Sequence, residues 1–347
     1  MPKLKIALGF AATFTAGVVL ATTAQARDLA VVSWGGAYQD AQKRAYFEPF
    51  KKASGVAMND ESWDGGIGVL RAKVQGGAAT WDVVQVESDE LAVGCEEGLF
   101  EKIEYSKIGG EAAYLPPSVN SCGVGAILYD FVLGYDKDKL KEAPKGWADF
   151  FDTKKYPGKR ALRQGPKTTL EIALIADGVA PKDVYKVMAT DEGIERAFKK
   201  LDTIKSDIVW WKAGAQPPQL MKDNEVQYSI CWSGRVVGDP AFGLNFAGGK
   251  ADLSFFGIVK GSKPEDKAAA YKLMHEMSLP ENQAKAAGVI SYTGPSPDLD
   301  ALLPKDKLWQ FPTSKQNKAV QYFENAEWWA ENGEAVNKKW EAFKLNL

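Results

Sequence analysis

The sequence predicts an α/β fold of two lobes, joined by two extended crossings that leave a ligand cleft between them. Three observations carry this. Short β-branched and aromatic runs alternate with longer amphipathic patterns, the rhythm of strands connected through helices. The 347 residues exceed what one ordinary hydrophobic core organises, so two α/β units are expected. Two apolar extended runs, near 126–135 and 253–260, fall where one unit hands over to the other.

The first 26 residues read as an export signal. Lys3 and Lys5 precede an apolar run from Ile6 to Leu20, and Ala24-Gln25-Ala26 supplies a small-x-small cleavage pattern. The run is too short and too rich in small residues to span a bilayer. No cysteine stands at the cleavage region, which argues against a lipid anchor. Removal of the signal takes two lysines and no acids from 43 basic and 45 acidic residues, leaving a net charge of about −4. That balance excludes non-specific nucleic-acid binding, which needs a basic surface.

The elements follow in order. "DLAVVSW" reads as a buried strand, and "AYQDAQKRAYFEPFKKASG" as an amphipathic helix stopped at Gly55. "VAMNDESW", "IGVLRAKVQGG" and "WDVVQVE" continue strand, helix, strand, with connections that imply parallel pairing. "GCEEGLFEKIEY" gives a short helix and loop, and "GVGAILYDFVLGYDKD" a long apolar strand. In the second unit "GWADFFDTKKYPGKRAL" contains a helix ended by Tyr156-Pro157-Gly158, and residues 168–201 hold two helical segments. "SDIVWW" and "VQYSICW" are strands around the helix "AQPPQLMKDNE". "LSFFGIVKG" is one more strand, and residues from Pro264 through Gly288 are helical. The expected organisation is lobe 1 from 27–133 and 254–312, lobe 2 from 134–253, and helices in 313–347 packing across both.

Three cysteines leave one unpaired. Cys95 and Cys122 lie close in the chain and an oxidising compartment lets them bridge, while Cys231 sits in an apolar alternation that suits a buried thiol. The single histidine, His275, lies within a helical pattern. It builds neither a zinc site with such dispersed cysteines nor a Ser-His or Cys-His nucleophile. No metal, no cofactor and no enzymatic activity are therefore expected.

Ligands of open α/β sheets bind at the carboxyl ends of strands and between domains. The strand-end loops share a pattern of aromatic, glycine and occasional charge. They are "SWGGAY" with Trp34 and Gly35, "SWDGGIG", "VESDE" with Glu87, Ser88 and Asp89, "LRQGPKT", "VWWKAGA" with Trp211, "CWSGR" with Trp232 and Arg235, and "SYTGPSP" with Tyr292. Indole faces attract cationic nitrogen, carboxylates pair an ammonium, and a guanidinium holds a carboxylate with two parallel hydrogen bonds. "GGIG" lacks the spacing and lysine of a phosphate-cradling loop.

Taken in order, the export signal, "VVSWGGAYQ", "TWDVVQVESDE", the Trp-x-Gly block at 232–234 and the closing "EWWAENGEAVNKKWEAF" resemble the spermidine/putrescine-type periplasmic solute-binding proteins of ABC importers. The likeness spans nearly the whole chain after the signal. It implies a type II periplasmic binding protein fold that closes its lobes over a small amine-bearing ligand and delivers it, as a monomer, to permease subunits in the inner membrane. Carried over by position, it places Trp34, Gly35, Glu87–Asp89, Trp211 and Trp232 at the ligand. The sequence departs from the polyamine pattern at Arg235, where such binders tend to carry a carboxylate, and "RQGPKTT" offers Gly165 and Thr168 in place of second-lobe acids. A cation facing a diamine repels it; facing a carboxylate it attracts. Two ligand classes therefore stay open, polyamines and zwitterions such as γ-aminobutyrate. Carriers of thiamine-like solutes or of iron, and a hydrolase or lyase, are the remaining alternatives.

Overall fold

The computed structural model describes residues 27–76 and 80–345, so the expected export signal lies outside the described residues. Ten strands form one continuous sheet: β1 (Leu29–Ser33), β2 (Met58–Ser62), β3 (Val83–Glu87), β4 (Val119–Asn120), β5 (Gly123–Asp136), β6 (Arg160–Arg163), β7 (Ile208–Trp211), β8 (Tyr228–Trp232), β9 (Phe242–Ile258) and β10 (Tyr322–Phe323). The order is β2-β1-β3-β9-β5-β8-β6-β7, with β4 on β5 and β10 on β9. The β2-β1-β3 set and the β8-β6-β7 set are each parallel, as βαβ connections require.

Two strands hold the halves together. β5 and β9 run antiparallel from Val124↔Phe256 to Asp136↔Phe242, and each also pairs with one half. β3 pairs with the end of β9, and β8 with the end of β5. Both crossings were anticipated, but β9 begins at Phe242, well before the apolar run "LSFFGIVKG". Its first part, "FGLNFAGGKAD", hides from a β-propensity reading because glycine is depleted in strands. Two of these glycines are required by close approach. A Cβ on Gly243 would lie 2.2 Å from the Tyr135 ring, and one on Gly249 2.9 Å from the Phe131 carbonyl.

Each half has its own core. Leu29, Val31, Val83 and Ile258 pack against Phe47, Phe50 and the 264–278 helix through Leu273, Met274 and Met277. A further cluster on the same side joins Val32, Val84, Trp81 and Phe100. The other half buries Leu162, Ile230, Leu170, Ile172, Leu201 and Trp147 together. The anticipated helix over 37–55 forms as Gly36–Ser54, with one wide turn at Lys43–Phe47, and ends at Gly55 in the left-handed region. The final helix, Ala326–Lys344, packs Trp340 against Phe198 and edge-on to Trp210 of the second half and lies against the Ser88–Glu96 helix of the first. Cys95 and Cys122 form a disulfide, and Cys231 is a buried free thiol. Among the described residues no helix is long and apolar enough to cross a membrane.

Candidate functional site

Strand β8 brings "YSICW" up to the gap between the halves, and a tight turn at Ser233–Arg235 ends it. Gly234 is needed there, because a Cβ would meet the Tyr292 ring at 2.7 Å. The turn throws the Arg235 side chain across the gap. Its Nη1 donates to the Gly35 carbonyl at 2.9 Å and its Nη2 to the Trp34 carbonyl at 3.1 Å. The guanidinium lies 5.6 Å from the Trp232 ring and 5.9 Å from the Tyr38 ring. It forms no ion pair among the described residues.

Around this arginine the two halves enclose a cavity of ≈280 Å3, counting its mouth. Trp34, Glu87, Trp232, Arg235 and Tyr292, all anticipated, line it. So do Tyr38, Ile127, Tyr129 and Ser254, which strand-end reasoning did not select. Trp34 and Trp232 meet from opposite halves at 6.5 Å, backed by Trp63 at 5.6 Å and Trp211 at 5.5 Å respectively. The lining is thus aromatic, with polar groups few and fixed, the usual make-up of a small-molecule site.

Two donors in this wall have no acceptor: Arg235 Nε and Trp232 Nε1 are both buried and unpartnered. Each can only donate. The opposite side is acidic but already populated by cations. Glu87 is held by Arg163 at 2.8 Å and by Lys167, and Asp89 by Lys167 at 2.7 Å. Lys250 pairs with Glu324, whose neighbour in the cluster is Asp252. Burial alone would push the Glu87 carboxyl up, but Arg163, Lys167 and Lys250 outweigh it and hold the group well below the usual carboxylate range. Asp252 is driven the other way, first by burial and then by Glu324, and it accepts from Tyr129 Oη at 2.9 Å and Ser88 Oγ at 2.8 Å. Glu90, buried beside Glu87, is pushed up to about 7. With Asp252 driven toward its neutral form, Glu87, Asp89 and Glu324 face three cations, Arg163, Lys167 and Lys250.

Several expectations need correcting. Trp211 is fully buried and supports Trp232 from behind instead of lining the cavity. The Ser88 hydroxyl is spent on Asp252, and the Asp89 carboxylate on Lys167, so neither is in the wall. Gly35 contributes its carbonyl to Arg235, not a backbone N–H to a ligand; that N–H goes to Gln39 Oε1 at 2.9 Å. In "LRQGPKT" the residues that reach the site's edge are Arg163 and Lys167, not Gly165 and Thr168. The basic residue that ends β6, Arg163, was visible there, but nothing in the sequence told that it would pair with Glu87. Tyr129 and Ser254 come from the middle of the long strands, where the loop criterion could not find them.

Comparison with known proteins agrees with this geometry. Residues 45–316 match the family model described as bacterial extracellular solute-binding protein. The chain is 40% identical over 327 residues, 93% of its length and 92% of the relative's, to a gamma-aminobutyric acid-binding protein of Pseudomonas aeruginosa. The solved ABC transporter substrate-binding protein from Bradyrhizobium japonicum is 36% identical, with a TM-score of 0.81 over 91% of this chain and 99% of that one. The PBP MotA of A. tumefaciens, solved with glucopine, is 30% identical, with a TM-score of 0.84 over 91% and 99%. The two solved relatives share the two-lobed architecture, and all three are binding proteins. The chain belongs to the bacterial extracellular solute-binding proteins, as a substrate-binding protein of an ABC transporter.

Proposed function

We propose that the cleft captures a small ω-amino acid of the γ-aminobutyrate type, carboxylate toward Arg235 and ammonium toward Glu87, Tyr129 and the Trp34 face. The observation that carries this is the pair of buried donors without acceptors, Arg235 Nε and Trp232 Nε1, in the wall of the cavity. Donor-only groups left unpaired in a dry site select an acceptor, and a carboxylate offers two oxygens. The ammonium end is met by Glu87, which is held ionised, accepts from Arg163 and Lys167 and still has lone pairs to share. The gamma-aminobutyric acid-binding relative supports the same reading, as does a solved GABA receptor, 34% identical with a TM-score of 0.79.

Polyamines fit less well. Glu87 and Asp89 already hold cations, and the second end of a diamine would meet Arg235. Iron is disfavoured too: the tyrosines of the cavity are all pushed up by burial, away from the phenolate that iron needs. In this reading 27–133 with 254–312 and 134–253 are the two jaws, which shift toward the closed form when ligand bridges them. The exported, monomeric protein then presents that form to its permease.

Tryptophan fluorescence during titration tests the ligand. Trp34 and Trp232 lie in the cavity wall, so γ-aminobutyrate is expected to give a saturable change while putrescine and spermidine give none. Saturation by putrescine alone would reverse the assignment.

A further inference from the structure

We propose that the Tyr38 ring is a partition that limits what the cleft accepts beside Arg235, and that it walls off an apolar space which only removal of the ring would open to a ligand substituent. This rests on the zwitterion reading above. Tyr38 is the one residue common to the walls of two cavities, the cleft and a second, narrow space in the first half, ≈290 Å3 counting its opening to solvent. The second space lies among Tyr46, Val124, Ala126, Phe256, Met274 and Met277, all buried. Two of its polar neighbours are committed: Tyr114 Oη donates to the Ile108 carbonyl at 3.0 Å and Ser278 Oγ to the His275 carbonyl at 2.7 Å. What remains is an apolar lining with two thioethers, which repack readily around an added group.

The ring is held firmly in place. Its hydroxyl accepts from Gln42 Nε2 at 3.1 Å and Gln85 Nε2 at 2.9 Å, and Tyr292 packs edge-on at 5.6 Å. With the guanidinium 5.9 Å from the ring, a ligand anchored by its carboxylate presents its α-carbon toward Tyr38. The ring therefore discriminates at that carbon, and the hydroxyl serves to fix the ring. Removing the side chain leaves both glutamines with other partners, since Gln42 Nε2 also donates to Gln85 Oε1 and Gln85 Nε2 to Ser254 Oγ.

The test compares wild type, Tyr38→Phe and Tyr38→Ala by calorimetry with γ-aminobutyrate and its 2-ethyl and 2-butyl derivatives. Melting with benzene is followed in parallel, as a probe that needs no charged anchor. Wild type and Tyr38→Phe are expected to reject both derivatives. Tyr38→Ala should admit them with a gain of about fourfold per methylene, hence ~15-fold for butyl over ethyl. Only Tyr38→Ala should be stabilised saturably by benzene, as engineered apolar cavities are. If Tyr38→Ala does not fold, Tyr38→Val takes its place. A folded truncation variant that ignores benzene and keeps the wild-type rejection of the derivatives overturns the partition. Failure of the wild type to bind any of the amino acids overturns the ligand reading instead, and the benzene arm then decides the partition by itself.

Discussion

Arg235→Gln is the perturbation with the largest expected consequence. The side chain makes two charge-assisted bonds across the gap, to the Gly35 and Trp34 carbonyls, and it stands where the ligand carboxylate is placed. Truncating one partner of a desolvated charge pair costs roughly 2–5 kcal/mol. Arg235 is only half-buried, so the lower part of that range applies, about 3 kcal/mol or ~150-fold in Kd. Calorimetry with γ-aminobutyrate measures this directly. Arg235→Lys keeps the charge but loses the fork and the stacking on Trp232, and an intermediate loss of about tenfold is expected. Arg235→Asp should lose γ-aminobutyrate and gain putrescine, because a second carboxylate then faces the far amine. If Arg235→Gln binds γ-aminobutyrate within threefold of the wild type, the carboxylate does not sit at this guanidinium and the ligand orientation is wrong.

Lys167 binds Glu87 and Asp89 across the gap, so Lys167→Met should expand the ligand-free protein in small-angle scattering. It should also weaken every cleft ligand by one common factor, as loss of closed population does; a factor that differs between ligands would mark direct contact. The disulfide closes a loop of 27 residues, and Cys95→Ser with Cys122→Ser should cost about 3–4 kcal/mol in denaturant unfolding. A thiol reagent is expected to label no cysteine in the native, oxidised protein and one after denaturation, since Cys231 is buried and its thiol is pushed up by burial. Asp130 is fully buried and raised to about 6 from 3.8. Its folded form therefore binds protons more tightly than the unfolded one, and stability falls as pH rises through that window. Asp130→Asn should match wild type below pH 4 and exceed it above pH 6 by roughly 3 kcal/mol, read from paired melts.

The alternation of β-branched runs and amphipathic helices gave away the layers, because parallel strands buried on both faces are mostly apolar, as "LAVVS" and "VVQVE" are apart from Ser33, Gln85 and Glu87. It failed in the first part of β9, where packing against Tyr135 and Phe131 demands glycine over propensity. At the site, residues on the short strand-end loops were legible: Trp34, Glu87, Trp232, Arg235 and Tyr292 all reach the cavity. Contributions from the centres of long strands were not, since Tyr129 and Ser254 look like any half-buried strand positions. Charge pairing was equally hidden. That Arg163 and Lys167 would occupy the carboxylates of "VESDE" depends on how the halves meet, which no local pattern encodes.

That pairing decides the specificity argument. Had Glu87 and Asp89 been unpaired, the cleft would carry two free negative charges and one cation at Arg235, and a dication would be the better guest. With Arg163 and Lys167 in place, the acidic side is already compensated, and among the described residues Arg235 faces the cleft without an anion. A zwitterion can give its carboxylate to Arg235 and lay its ammonium against Glu87, whereas a diamine would set a second cation against Arg235 and a dicarboxylate an anion against Glu87. Since uncompensated charge in a dry site costs several kcal/mol, the proposed ligand is a zwitterion with separated ends. The aromatic walls then set how far apart those ends lie.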